Sequence, residues 1–242
     1  MTQYSYSRVD TFVKCPKKFE FHYVKGVEVE EDLTEDSPLL LGKCMDAGLE
    51  HGLEAALSYY DEQFPYQSQK KQWETLKLEY WIKRLRPHFE GGQFQIELQT
   101  PYFKGFADWY KDGHLVDFKY ASPKNAENYR TSPQLHLYCD IMRRQGYEVT
   151  DLTYVIIPKT FIREKKLESP AMFRNRLLET LDSLEPIQIQ VEFNPDYLDE
   201  FGRNIDRITF ANLNNDFPAK PSKLCDWCSY KDICEAKPIN IK

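Results

Sequence analysis

Phe12, Phe19 and Tyr23 recur at helical spacing in a stretch otherwise rich in basic and small residues. The pattern predicts an amphipathic helix over residues 5–24, with Ser7 as a candidate cap. Residues 27–38 are acidic and contain proline, and read as a loop. Helical spacing returns over Leu39 to Tyr60 and again over Gln67 to Phe89. In the first of these, Gly42, Gly48 and Gly52 each cost about 1 kcal/mol relative to alanine, and such glycines often mark close approach of another element. The period then changes. Phe94, Ile96 and Leu98 alternate with Gln95, Glu97 and Gln99, the mark of a half-buried strand that Pro101 ends. Tyr102 to Tyr110 predicts a second strand, Lys111-Asp112-Gly113 a tight turn, and His114 to Tyr120 a third strand. A helix over 131–145, a strand from Val149 to Ile157 ended by Pro158, a helix near 170–184, a strand near 187–193 and a helix near 196–213 complete the pattern. Helices flanking a central group of strands predict an α/β fold with a mixed sheet. A single domain is expected, with a helical part over about 5–90, an α/β core over about 91–193, and a C-terminal helix and tail over about 194–242.

Composition narrows the class. The 242 residues are 41% hydrophobic and 29% charged, as in globular proteins able to bury a core. No apolar run approaches the roughly 18–20 residues that cross a bilayer, and the first residues lack the order of a secretory signal, so a cytoplasmic protein without a membrane partner is expected. The net charge of −6 argues against indiscriminate nucleic-acid binding but says little about a local groove. Basic runs do occur, at Lys14, Lys17 and Lys18, at Lys70 and Lys71, at Lys83, Arg84 and Arg86, at Arg143 and Arg144, and at Arg163, Lys165 and Lys166. Taken singly, each is more simply a solvated face.

The candidate chemistry lies in Gly105-Phe106-Ala107-Asp108 and, after the turn, Asp117-Phe118-Lys119. Carboxylates on neighbouring strands of a hairpin stand about 5 Å apart. They repel unless a cation neutralises them, and Mg²⁺, which takes oxygen ligands and retains waters, suits phosphate chemistry. Lys119, two residues beyond Asp117, falls on the same sheet face. An Asp-x-Lys tripeptide alone is common, and ordinary hairpin carboxylates beside a surface lysine are the plainer interpretation. The order of the neighbouring motifs adds to it. Residues 105–108 with 117–119 resemble motifs II and III of the PD-(D/E)XK nucleases, in the form found in RecB-like and CRISPR-associated exonucleases, and Gln134-Leu135-His136-Leu137-Tyr138 is similar to the Gln-x-x-x-Tyr motif of that group. The resemblance implies a restriction-endonuclease-like core. It implies that Asp108, Asp117 and the backbone carbonyl of Phe118 bind one or two Mg²⁺ or Mn²⁺ ions, that Lys119 is catalytic, and that Gln134 and Tyr138 face the site. Gly42-Lys43-Cys44-Met45-Asp46-Ala47-Gly48-Leu49-Glu50 aligns with an early helix whose metal ligand in the family is commonly His; Asp46 stands there instead. A carboxylate is a hard ligand that favours Mg²⁺ or Mn²⁺ over softer ions. His51 lies on another helical face and is not expected to replace it, and Glu97 is a further candidate for orienting a water or ligand.

Six cysteines without a secretory signal suggest metal ligation rather than disulfides. Cys225-Asp226-Trp227-Cys228 followed by Cys234 gives C-x2-C-x5-C, a spacing that suits zinc or iron–sulfur ligation equally and needs a fourth ligand. The stretch from Tyr6-Ser7-Arg8 to Cys15-Pro16-Lys17-Lys18-Phe19 resembles the opening of AddB-like and CRISPR-associated nucleases. That resemblance implies that Cys15 joins Cys225, Cys228 and Cys234 around a structural 4Fe–4S cluster, with zinc on the same four ligands as the alternative. Cys44 and Cys139 fit no such spacing and are expected to be buried. The whole pattern predicts a DNA nuclease, an exonuclease on single-stranded or end-bearing DNA. Its rival is a weakly active or inactive cluster-bearing DNA-binding subunit that works with a recombination, replication or helicase partner or in a CRISPR adaptation complex.

Overall fold

The alternation between residues 94 and 120 becomes three consecutive strands in a computed structural model that describes residues 2–29 and 33–234. They are β1 (Gln93–Gln99), β2 (Lys104–Lys111) and β3 (His114–Ala121). The β2–β3 turn is tight because Asp112 and Gly113 both take left-handed backbone, at φ 47° and 89°, the geometry that lets a two-residue hairpin follow the twist of its strands. Asp112 is one of the few residue types that adopts it without glycine.

The chain then forms α6 (Gln134–Arg144) and returns as β4 (Asp151–Pro158), which runs parallel to β3 with Lys119 beside Ile156 and Ala121 beside Pro158. After α7 (Pro170–Asp182), β5 (Ile187–Val191) adds antiparallel to β4. The resulting five-stranded mixed sheet, in order β1-β2-β3-β4-β5, is flanked by helices, as the α/β expectation requires. β4 is buried from Tyr154 to Pro158, the near-continuous apolar run of a strand covered on both faces.

Side-chain alternation along β3 assigns its faces. Val116 and Phe118 enter a core with Leu41, Met45 and Leu49 of α3 (Pro38–His51), Leu78, Trp81 and Ile82 of α5 (Gln69–Leu85), and Phe173 and Leu177 of α7. Leu115, Asp117 and Lys119 take the other face, where α6 packs. The helix expected from Leu39 to Tyr60 is two helices, α3 and α4 (Leu53–Gln63), because Gly52 sits at φ 99°, ψ 174° between them. A β-carbon at Gly48 would lie 2.2 Å from Cδ1 of Ile82, so this glycine does mark a close approach, whereas Gly42 has open space.

Residue proximity divides the chain into two compact units. The one just described comprises residues 33–97 and 106–193. The other gathers residues 1–32, 98–105 and 194–242. Within it, Tyr4 bridges Phe103, Phe103 packs edge-on against Phe201 of α8 (Asp196–Asn214), and Phe19 stacks on Phe217. The helix expected over 5–24 is interrupted here. α1 (Tyr6–Lys14) stops at Cys15, which is extended at φ −160° because the following proline excludes it from helical backbone; α2 (Pro16–Phe19) and one wide turn, Glu20–Val24, follow. The cap is Ser5, whose hydroxyl accepts the Arg8 N–H at 3.1 Å, and not Ser7. Among the described residues, no helix is long and apolar enough to cross a membrane.

Candidate active site

The β2–β3 pairing sets the site. Trp109 pairs with Val116 and Tyr110 with Leu115, and one further step in that register puts Asp108 opposite Asp117. There the Asp108 carboxylate accepts the backbone N–H of Phe118 at 2.9 Å. Asp117 is completely buried. Lys119 Nζ pairs with its Oδ2 at 2.5 Å, and among the described residues no other partner reaches either carboxylate oxygen.

Burial raises the carboxyls of Asp108 and Asp117, more than the nearby ammonium of Lys119 lowers them, and the Asp117 and Asp46 charges push Asp108 further. Asp46 on α3 is raised to about 7, chiefly by burial and then by the charges of Asp117 and Glu50, against the opposing pull of Lys119. For Lys119, burial alone would favour the neutral amine, but Asp117 and Asp108 outweigh it and hold the ammonium above the ordinary lysine value. Three carboxylates and one lysine thus share one electrostatic neighbourhood, short of positive charge.

On α6, Gln134 Nε2 donates to the Tyr138 hydroxyl at 3.0 Å, the i, i+4 contact of one helical face. Tyr138 is buried, and burial together with the Asp117 charge raises its hydroxyl. Asp46, Asp108, Asp117 and Lys119 thus form one electrostatically coupled group whose charges also reach Tyr138, which Gln134 touches. Glu97 and His51 stay outside it: Glu97 is exposed on β1, with its carbonyl accepting Gln145, and the His51 side chain is 64% exposed.

Among the described residues, no three His, Cys, Asp or Glu side chains are drawn together as a formed metal-binding group. The donor set nevertheless fits a hard cation. Asp117 and Asp108 are buried carboxylates that share the single ammonium of Lys119, and their remaining desolvation cost is one that a divalent ion relieves.

In the other unit, Cys15, Cys225, Cys228 and Cys234 line one cavity of about 370 Å³. All four are free thiols, and the extended backbone before Pro16 brings Cys15 to the cavity wall. Cys44 and Cys139 are fully buried, with thiols raised by burial to about 12 and about 11. Several of the basic residues noted in the sequence are neutralised on their own helices: Lys14 by Asp10, Lys83 by Glu79 and Arg144 by Asp140. Sequence reasoning missed a buried polar group, Glu74, Lys77 and Lys159, because nothing in their spacing distinguishes buried charges from exposed ones.

A family model described as the PD-(D/E)XK nuclease superfamily matches residues 3–235 of the chain. No curated protein matches it.

Proposed function

The chain belongs to the PD-(D/E)XK nuclease superfamily, and from that premise we propose that it is a metal-dependent deoxyribonuclease, an exonuclease acting on single-stranded or end-bearing DNA. The observation that carries this reading is the fully buried Asp117 carboxylate, across the hairpin from Asp108, with Lys119 as its one ion-pair partner among the described residues and the nearby carboxylates left to share that single cation. Asp46, Asp108, Asp117 and the Phe118 carbonyl would hold one or two Mg²⁺ or Mn²⁺ ions. When bound, such an ion would supply Lewis-acid chemistry, neutralising phosphodiester charge and lowering the pKa of a water.

The protein's own groups do the rest. Lys119, kept protonated by its carboxylate neighbours, orients the water and offsets charge that builds on the phosphate oxygens. Tyr138, fixed by Gln134, presents its hydroxyl beside Asp117 and positions the strand. Asp117 is fully buried, so its charge acts at low dielectric.

The four-thiol cavity supports a second cofactor, a structural 4Fe–4S cluster on Cys15, Cys225, Cys228 and Cys234. Zinc on the same four thiols is the alternative. The cluster would tie the first helix pair to the C-terminal turn of the same unit.

Labelled single-stranded DNA incubated with Mg²⁺ or Mn²⁺ tests the reading. Cleavage by the parent protein, and a loss of at least about a hundredfold in Lys119→Ala and Asp117→Ala that still fold by circular dichroism, is the expected result. DNA binding without cleavage under either metal would replace the enzyme with a cluster-bearing binding subunit, and cleavage only with a co-purifying helicase would place it in a larger complex.

A further inference from the structure

A second cavity lies beyond the carboxyl ends of β3 and β4, walled by α5 and by the segment that follows β4. Its volume is about 590 Å³. Crevices outside the carboxyl ends of parallel strands are the usual ligand positions of open α/β sheets. None of the groups assigned above to cleavage lines it.

Its wall is unusual in holding charge away from water. Lys77, Glu74 and Lys159 are all at least nine-tenths buried. Lys77 is neutralised by Glu74 Oε1 at 2.6 Å and donates to the Thr160 carbonyl at 3.2 Å. Glu74 Oε2 is buried without a hydrogen-bond partner, as is the indole N–H of Trp73. Lys159 has no carboxylate within ion-pair distance among the described residues. Its ammonium donates to the Asp36 carbonyl at 3.1 Å and lies 5.7 Å from the centre of the Phe161 ring. Phe161 is 65% exposed, and Arg163 follows two residues later, also exposed.

The loop that carries this ring is held in place. Arg176 donates to the Arg163 carbonyl at 2.8 Å and to both carboxylate oxygens of Glu168, while Glu168 accepts the Lys165 N–H. These bonds from Arg176 depress the Glu168 carboxyl to about 2. The ring and the two cations are therefore presented on a pinned segment.

An aromatic face, two cations that no carboxylate pairs among the described residues and a buried unsatisfied acceptor, together in one cavity, match the three parts of a nucleotide. We propose that this cavity grips one nucleotide of a single DNA strand, with its phosphate on Lys159 and Arg163, its base on the Phe161 ring, and a base N–H available to Glu74 Oε2. Stacking on an aromatic side chain is tolerant of sequence because every base has a π face, and arginine adds phosphate contact. This rests on the nuclease reading for the identity of the polymer, and it makes the cavity a substrate-gripping site apart from the cleavage site.

Binding is measured on the full chain without divalent cations, so that the result does not depend on catalysis. The probe is fluorescein-labelled oligothymidylate followed by anisotropy. Phe161 and Arg163 are exposed, so Phe161→Ala and Arg163→Ala keep the fold, with thermal unfolding as the check. Each should weaken binding by about tenfold, and Arg163→Ala should also lower the dependence on salt. Thymidine 5′-monophosphate, titrated against tryptophan fluorescence, separates a free-nucleotide site from a strand site. Parental affinity in both variants overturns the proposal. A loss confined to Arg163→Ala overturns it too, since that marks bare electrostatic contact. Saturation by the mononucleotide with no change in oligonucleotide binding assigns the cavity to free nucleotide and removes the strand. If the variants bind weakly while no metal supports cleavage in the parent, the nuclease reading fails and the gripping site stands.

Discussion

Asp117 and Lys119 show how much two residues can be made to carry by one strand. Alternation along β3 turns both to the face opposite Phe118, burial removes the water that would screen them, and the lysine's charge is left to serve more than one carboxylate. The tripeptide was visible in the sequence, but its burial was not, and burial is what separates this group from a surface ion pair. The same burial gives a signed prediction. Asp46 and Asp108 have folded-state carboxyls above the value near 4 of the unfolded chain, so the folded state binds more protons between about pH 4 and pH 7. Metal-free protein should therefore lose stability as pH rises through that window. Melting in chelator should occur at a higher temperature at mildly acid than at alkaline pH, and Mg²⁺ should raise the alkaline value most. A melting temperature in chelator that rises with pH across the window would contradict the arrangement of the carboxylates.

The elements were legible where a period is long and its ends are marked. The hairpin at Asp112-Gly113, the strands on either side of it, α6 and β4 all follow from alternation or helical spacing. Two helices were read through their interruptions, because a hydrophobic stripe keeps its spacing across a break of one residue. Pro16 forces Cys15 into extended backbone, and Gly52 takes a conformation closed to other residues; only the φ angles reveal either break. Gly48 was readable as a place of close approach but not its partner. Alanine there would put a methyl into the Ile82 side chain, held in the core between α3 and α5, and should cost about 1–3 kcal/mol by denaturant unfolding. Ile82→Val in the same chain should return part of that loss. Equal stability of Gly48→Ala and the parent would show that α5 can move aside.

At the scale of the molecule, the chain distributes two kinds of chemistry over two compact units. Hard oxygen donors occupy the sheet-bearing one, and soft thiols occupy the one built from three separate stretches of sequence. Cysteine spacing exposed three of those thiols directly, while the fourth came only through resemblance. Their shared cavity lies within a unit whose parts are far apart in the chain, which no local pattern could assemble. Chain prepared without air should be brown and contain iron and sulfide, and Cys15→Ala and Cys225→Ala should each be colourless and melt lower, since ligand bonds absent from the unfolded chain contribute folding energy. Colourless, zinc-replete protein from the same preparation would assign the thiols to zinc.

The peptide proton of Phe118 is fastened to the Asp108 carboxylate rather than to another strand. Any charge that reaches the carboxylate, a proton or a dication, slackens that attachment. Its amide resonance should move upfield and its deuterium exchange quicken as Mg²⁺ is added, a gauge of loading at a single backbone atom that requires neither substrate nor turnover.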